Sequence, residues 1–102
     1  MEIIHVSKES FDKVLKLKDV IFDFWAPWCG PCRMLAPVLE DIANDYPDIQ
    51  IAKINVDDYP ELAIKYNISS IPAILYFKNG ELTSQTLGYM EKDQLLTKLK
   101  IK

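Results

Sequence analysis

Long apolar runs are missing from this sequence. The longest, Ile71 to Phe77, falls far short of the roughly 18 to 20 residues a membrane helix needs and fits a buried strand instead, so no membrane role is expected. Blocks of one charge sign are missing too. The lysines are scattered and the net charge is -3, which argues against nucleic acid as a partner. Met1-Glu2-Ile3-Ile4-His5 has no basic segment followed by an apolar one, so no secretory leader is expected and the cytoplasm is the expected compartment. Histidine occurs once and cysteine twice. That is too few for a structural zinc site, which normally takes four protein ligands, and no second histidine supports a Cys–His protease. His5 reads as incidental. Repeats, linkers and low-complexity segments are absent, so residues 1–102 read as a single domain.

What is present is the composition of a globular domain, 49% hydrophobic and 11% aromatic over 102 residues. A chain of that length buries a core without a structural disulfide or metal. The two cysteines are therefore not needed as a staple. In a reducing compartment a lone, closely spaced pair is more often catalytic or metal-binding than structural.

The apolar pattern predicts alternating elements. Ile3 to Val6 reads as a short strand, and Ser7 as the cap of a helix carrying Phe11, Val14, Leu15 and Leu17 and ending near Lys18. Val20 to Trp25 is a nearly continuous β-prone run, as expected for a central strand covered on both faces. From Cys32 on, Leu35, Val38, Leu39, Ile42 and Tyr46 keep helical spacing until Pro47 stops it, with Pro37 forfeiting one backbone bond inside. Ile49 to Val56 follows as a strand and Pro60 to Tyr66 as a short helix. Ala73 to Lys78 and Leu82 to Leu87 flank Asn79-Gly80, a strong hairpin signal. Gly88 breaks the second of these strands, and Leu95, Leu96 and Leu99 mark a closing helix. The expected order is β α β α β α β β α, an α/β fold with parallel crossovers first and an antiparallel hairpin last.

The predicted central strand runs straight into Trp28-Cys29-Gly30-Pro31-Cys32. Cysteines spaced this way at a helix start place both sulfurs on one face within bridging reach. At the helix N-terminus, unpaired N–H groups and the positive dipole end favour a Cys29 thiolate, the attacking group. Cys32, one turn in and more buried, suits the resolving role. Gly30 and Pro31 bring no charge and Pro31 no N–H, so the thiolate gains little from them. That tilts the couple toward the disulfide and makes the dithiol a reductant. Asp23 is a lone carboxylate among Val20, Ile21, Phe22, Phe24 and Trp25, and a buried carboxylate has a raised pKa suited to proton transfer near neutrality. Residue chemistry alone reads Pro72 as a trans strand start.

Taken together, the Trp-Cys-Gly-Pro-Cys motif, the aspartate six residues before Cys29, the Ile71-Pro72 step, Phe77-Lys78-Asn79-Gly80 and Leu87-Gly88 resemble the thioredoxin family over essentially the whole chain. The resemblance implies a thioredoxin fold, a central mixed five-stranded sheet flanked by four helices. It implies that Asp23 deprotonates Cys32, that Lys53 lies near and tunes Asp23, and that Ile71-Pro72 is a cis step facing the cysteines. Trp28, Ser70, Ile71, Gly88 and Tyr89 would then form a shallow docking surface on which the Ile71 backbone pairs with a target strand. The implied activity is general protein disulfide reduction by a monomer without bound cofactor. It would be recharged by thioredoxin reductase using NADPH, or by a donor such as ferredoxin. Pro27 and Ala73 depart from residues common in the family and touch the partner surface. An oxidant or isomerase would use the same thiols, and a redox-independent binding subunit would use the same fold; equilibration with glutathione separates the first, a cysteine-free variant the second.

Overall fold

The computed structural model describes residues 3–102. Met1 and Glu2, which carry part of the leader expectation, lie outside the described residues. The elements run β1 (Ile4–His5), α1 (Phe11–Leu15), β2 (Asp19–Trp25), α2 (Gly30–Asp45), β3 (Gln50–Asn55), α3 (Pro60–Lys65), β4 (Ala73–Lys78), β5 (Glu81–Leu87) and α4 (Lys92–Lys98). The sheet order is β1-β3-β2-β4-β5. β1 and β2 pair parallel with β3, whereas β4 is antiparallel to both β2 and β5. The expected mixed five-stranded sheet with four helices is the one found, with β2 at its centre.

Alternation along β2 divides the core. Val20, Phe22 and Phe24 pack with Phe11 and Val14 of α1 and Leu62 and Ala63 of α3. Ile21 points the other way, against Leu35, Leu39 and Ile42 of α2, Leu95 and Leu96 of α4, and Leu99 at its C-cap. Each large side chain so buried contributes on the order of 1.5–3 kcal/mol. Asp23 follows Ile21 by two residues and so lies on the α2 face, fully buried beside this apolar cluster.

Two expected boundaries are corrected. Ser7 does not cap α1; the N-cap is Ser10. The Ser7 N–H donates to Ser10 Oγ at 2.9 Å and the Ser10 N–H to Ser7 Oγ at 3.1 Å, so the two hydroxyls close a turn that competes with the helix. At its other end α1 stops at Leu15 rather than near Lys18. The sheet claims that segment: the Asn79 N–H bonds the Lys18 carbonyl at 2.8 Å, and Asp19 pairs with Lys78.

Two turns depend on backbone with positive φ. Asn79 and Gly80 both have positive φ, 52° and 84°, as a two-residue hairpin turn requires. Asn67, at φ 56°, ends α3, with the Ile68 N–H bonding the Ala63 carbonyl at 2.8 Å and the Asn67 N–H the Ile64 carbonyl at 3.1 Å. This paired closure of a helix end sends residues 68–72 back toward the N-terminus of α2.

Candidate functional site

β2 ends at Trp25, and a short loop returns the chain so that Cys29 becomes the N-cap of α2, with Pro31 in its first turn. The Cys29 N–H bonds the Ala26 carbonyl at 3.1 Å. Arg33 holds the loop from outside, its Nη1 donating to the Pro27 carbonyl at 2.8 Å. Cys29 and Cys32 are joined as a disulfide with Cα atoms 5.3 Å apart, within the usual span. Cys29 is 5% exposed and Cys32 2%. That narrow margin does not separate the two sulfurs; position does. The Cys32 backbone N–H points at Cys29 Sγ, 3.2 Å away, so a negative charge on Cys29 would meet a helix-terminal donor already in place. A Cβ at Gly30 would sit 3.9 Å from Arg33 Nη2, an ordinary contact, so the space there does not demand glycine.

The Ile71–Pro72 bond is cis, against the trans reading from residue chemistry and as the resemblance implies. Pro72 is buried and Ser70 exposed. The Ile71 carbonyl oxygen lies 3.9 Å from Cys29 Sγ, and the disulfide packs against Trp25, Ala26, Val56 and Ile71. Among the described residues, neither the N–H nor the C=O of Ile71 is bonded to another backbone group, whereas the next carbonyl, that of Pro72, accepts the Gly88 N–H at 2.8 Å. Gly88 has φ +83° with open space where a Cβ would point. Replacing it with alanine is expected to cost about 1–2 kcal/mol from the positive φ alone, read as a lowered denaturation midpoint. Tyr89 is 39% exposed and Trp28 68%. Cys29, Cys32, Ile71, Pro72 and Gly88 are thus joined by direct contacts and hydrogen bonds.

Trp28 is held by a residue the sequence reading missed. Its indole Nε1–H donates to both carboxylate oxygens of Asp57, at 3.2 and 3.0 Å. Trp25 and Asn55 are register partners at the ends of parallel strands, so residues just beyond each strand emerge side by side.

Asp23 is fully buried and sits between Lys53 on β3 and Ile74 on β4. Its Oδ2 is 3.8 Å from Lys53 Nζ, beyond hydrogen-bond reach, and neither carboxylate oxygen has a hydrogen-bond partner. Burial pushes its pKa from 3.8 up to about 6, with the Lys53 charge pulling the other way. The ammonium also lies 4.8 Å above the Trp25 ring centre, which keeps it inboard. Lys53→Met removes the one charge opposing burial and is expected to move the Asp23 titration above about 6. Carboxyl carbon shifts followed against pH would read it, and an unmoved or lowered midpoint would contradict the pairing. His5 is exposed on β1, and among the described residues no group of three or more His, Cys, Asp or Glu is placed to hold a metal ion.

Comparison with known proteins agrees with this geometry. The thioredoxin family profile matches residues 2–101. Over 96 residues the chain is 48% identical to a thioredoxin of Acidithiobacillus ferridurans, covering 91% of this chain and 89% of that one. It is 43% identical over 96 residues to a thioredoxin of Staphylococcus epidermidis, covering 93% and 92%. The fold superposes on a mutant thioredoxin from Halobacterium salinarum with TM-score 0.88 at 34% identity, over 98% of this chain and 89% of that one. With a redox-capable cysteine pair at the N-terminus of α2 and a family match along nearly its whole length, the chain belongs to the thioredoxin family of thiol–disulfide oxidoreductases.

Proposed function

We propose that the chain is a general protein disulfide reductase. The observation that carries this reading is the Cys29–Cys32 disulfide at a helix N-terminus, beside an Ile71 backbone whose N–H and C=O take no internal backbone partner. Ile71 can therefore add a target strand while the target's disulfide meets Cys29. In the reduced protein the Cys29 thiolate attacks one sulfur of the target disulfide, forming a mixed disulfide and expelling the target's other sulfur as a thiolate. Cys32 then gives its proton to Asp23, attacks Cys29 Sγ, and releases the second target sulfur. The target gains two electrons and the protein keeps the disulfide. Lys53 tunes Asp23, while Trp28, Ser70, Gly88 and Tyr89 frame the docking strand.

Gly30 and Pro31 give the thiolate no charge partner, favouring the disulfide and hence reduction of the target. No step calls for a bound cofactor. Electrons return through thioredoxin reductase from NADPH, or from a ferredoxin-type donor, and the protein works as a cytoplasmic monomer. Among the described residues no helix is long and apolar enough to cross a membrane.

The experiment is reduction of a disulfide-bonded protein, with a chemical dithiol, with NADPH and thioredoxin reductase, and with a ferredoxin-linked reductase supplied separately. Turnover with the dithiol and with one enzymatic donor is expected. No reduction under any donor would sink the reading.

A further inference from the structure

The surface beside the disulfide does not end at Ile71. It opens into a groove of about 440 Å³, walled by Trp28, Val56 and Ile71 on the disulfide side and by Pro60, Ala63 and Ile64 on the α3 side. α3 has six residues and buries Leu62 and Ala63. So short a helix covers one face only, and Ile64 is left 75% exposed, the highest value among the exposed large hydrophobic residues described. A bare aliphatic side chain on the wall of an apolar groove is the feature that calls for an occupant.

The rim is of one charge sign. No charged side chain lines the groove, but Asp57 and Glu61 adjoin the lining residues Val56 and Pro60 in sequence, and both are exposed. Asp57 is fixed at the groove by the Trp28 indole. Glu61 has no ion-pair partner among the described residues. The lysine of α3, Lys65, is turned away, its Nζ 5.4 Å and 5.7 Å from the ring centres of Phe11 and Tyr66.

We propose that this groove selects targets by the residues flanking their reactive cysteine: an aliphatic side chain seats against Ile64 and Ala63, and a neighbouring lysine or arginine faces Asp57 and Glu61. The inference rests on the disulfide-reductase reading above. Continuity supports it, because Ile71 both contacts Cys29 Sγ, through its carbonyl at 3.9 Å, and walls the groove. A target strand advances roughly 3.3 Å per residue, so one paired at Ile71 carries the residues next to its cysteine across the groove. A second copy of this chain is the poorer occupant. Two-fold contact through the same patch would bring its acidic rim close to itself, in a chain whose net charge is already -3.

The test uses the prereduced full chain and synthetic peptides whose single cysteine carries a thionitrobenzoate leaving group, so that each attack by Cys29 releases the chromophore. The peptides differ only near that cysteine, as Leu-Lys, Leu-Glu, Ser-Lys or Ser-Ser. The expected second-order rate is about tenfold higher for Leu than for Ser partners, the scale of burying one aliphatic side chain. Lys should exceed Glu several-fold at low salt and lose most of that lead at 1 M NaCl. In Ile64→Ser the Leu preference should collapse to within about twofold, and in Glu61→Gln the Lys preference should shrink, whereas Leu82→Ser, an exposed residue on β5, should retain both. Equal rates for all four peptides would overturn the proposal, as would a preference that survives Ile64→Ser. A dimer in sedimentation that Ile64→Ser dissolves would also overturn it, by giving the groove to a second copy. A small aromatic disulfide, lacking any peptide, separates the two levels: if wild type reduces it yet ranks the peptides equally, only the groove proposal fails, and if wild type reduces neither, the reductase reading fails with it.

Discussion

Serine at Cys32 is expected to turn the protein from a turnover catalyst into a trap. In Cys32→Ser, Cys29 keeps its place as the N-cap of α2 and the backbone N–H of residue 32 still points at its sulfur, as it does at 3.2 Å in the present structure. The first attack therefore proceeds. The second cannot, because a hydroxyl does not resolve a mixed disulfide, and the adduct accumulates. In Cys29→Ser the first attack is lost instead, and target reduction should fall by on the order of a thousandfold or more, as removal of a nucleophile does in other covalent catalysts. Mass spectrometry of non-reduced samples is decisive: Cys32→Ser should carry the mass of one target, released by added thiol, and Cys29→Ser should carry none. Adducts of equal yield in both variants would mean that the sulfurs are interchangeable and that the helix N-terminus assigns no order.

The placement of these two residues at the start of α2 was legible from sequence because it depends on local order: a β-prone run, a tight motif, then helical spacing. The same holds for the Asn79-Gly80 turn and for the division of β2 between two layers, since strand and helix periods are short-range patterns. Where the outcome depended on tertiary placement, residue chemistry alone was not enough. It read Ile71-Pro72 as trans, and only the family pattern pointed to the cis bond found. Ser7 reads as the cap from its place in the sequence, but the N-cap is Ser10, and a reciprocal hydroxyl turn joins the two. Asp57 carried no mark of its own; it matters because parallel register brings the ends of β2 and β3 together beneath Trp28. Ile64 is spaced like any helical aliphatic, and its exposure follows from how little of α3 the sheet covers.

Replacing Asp23 with asparagine is expected to stabilise the protein relative to wild type as pH rises, and to slow it. The sign follows from proton linkage. Burial raises the Asp23 pKa from 3.8 to about 6 in the folded protein. Between those values the native state holds a proton that the unfolded chain has released, so wild-type stability falls as pH rises through this window. Well below pH 3.8 both states are protonated and the difference vanishes. Above about pH 6 both are ionised, and the native state bears the full penalty of a buried charge, up to about 3 kcal/mol for a gap of this size. Asparagine is neutral throughout and removes that slope. Its amide finds no more partners than the carboxylate, whose oxygens have none, but that offset does not change with pH. Chemical denaturation of both oxidised proteins from pH 3 to 8 should therefore show the variant gaining up to about 3 kcal/mol on wild type, nearly all of it between pH 3 and 7. A stability difference that stays flat across the range would mean that Asp23 titrates as an ordinary surface acid. The same variant lacks the acceptor for the Cys32 proton, and resolution of the mixed disulfide at neutral pH should slow by on the order of a hundredfold. A chain made more stable and slower by one change would locate the penalty of the buried carboxylate in the proton transfer it performs.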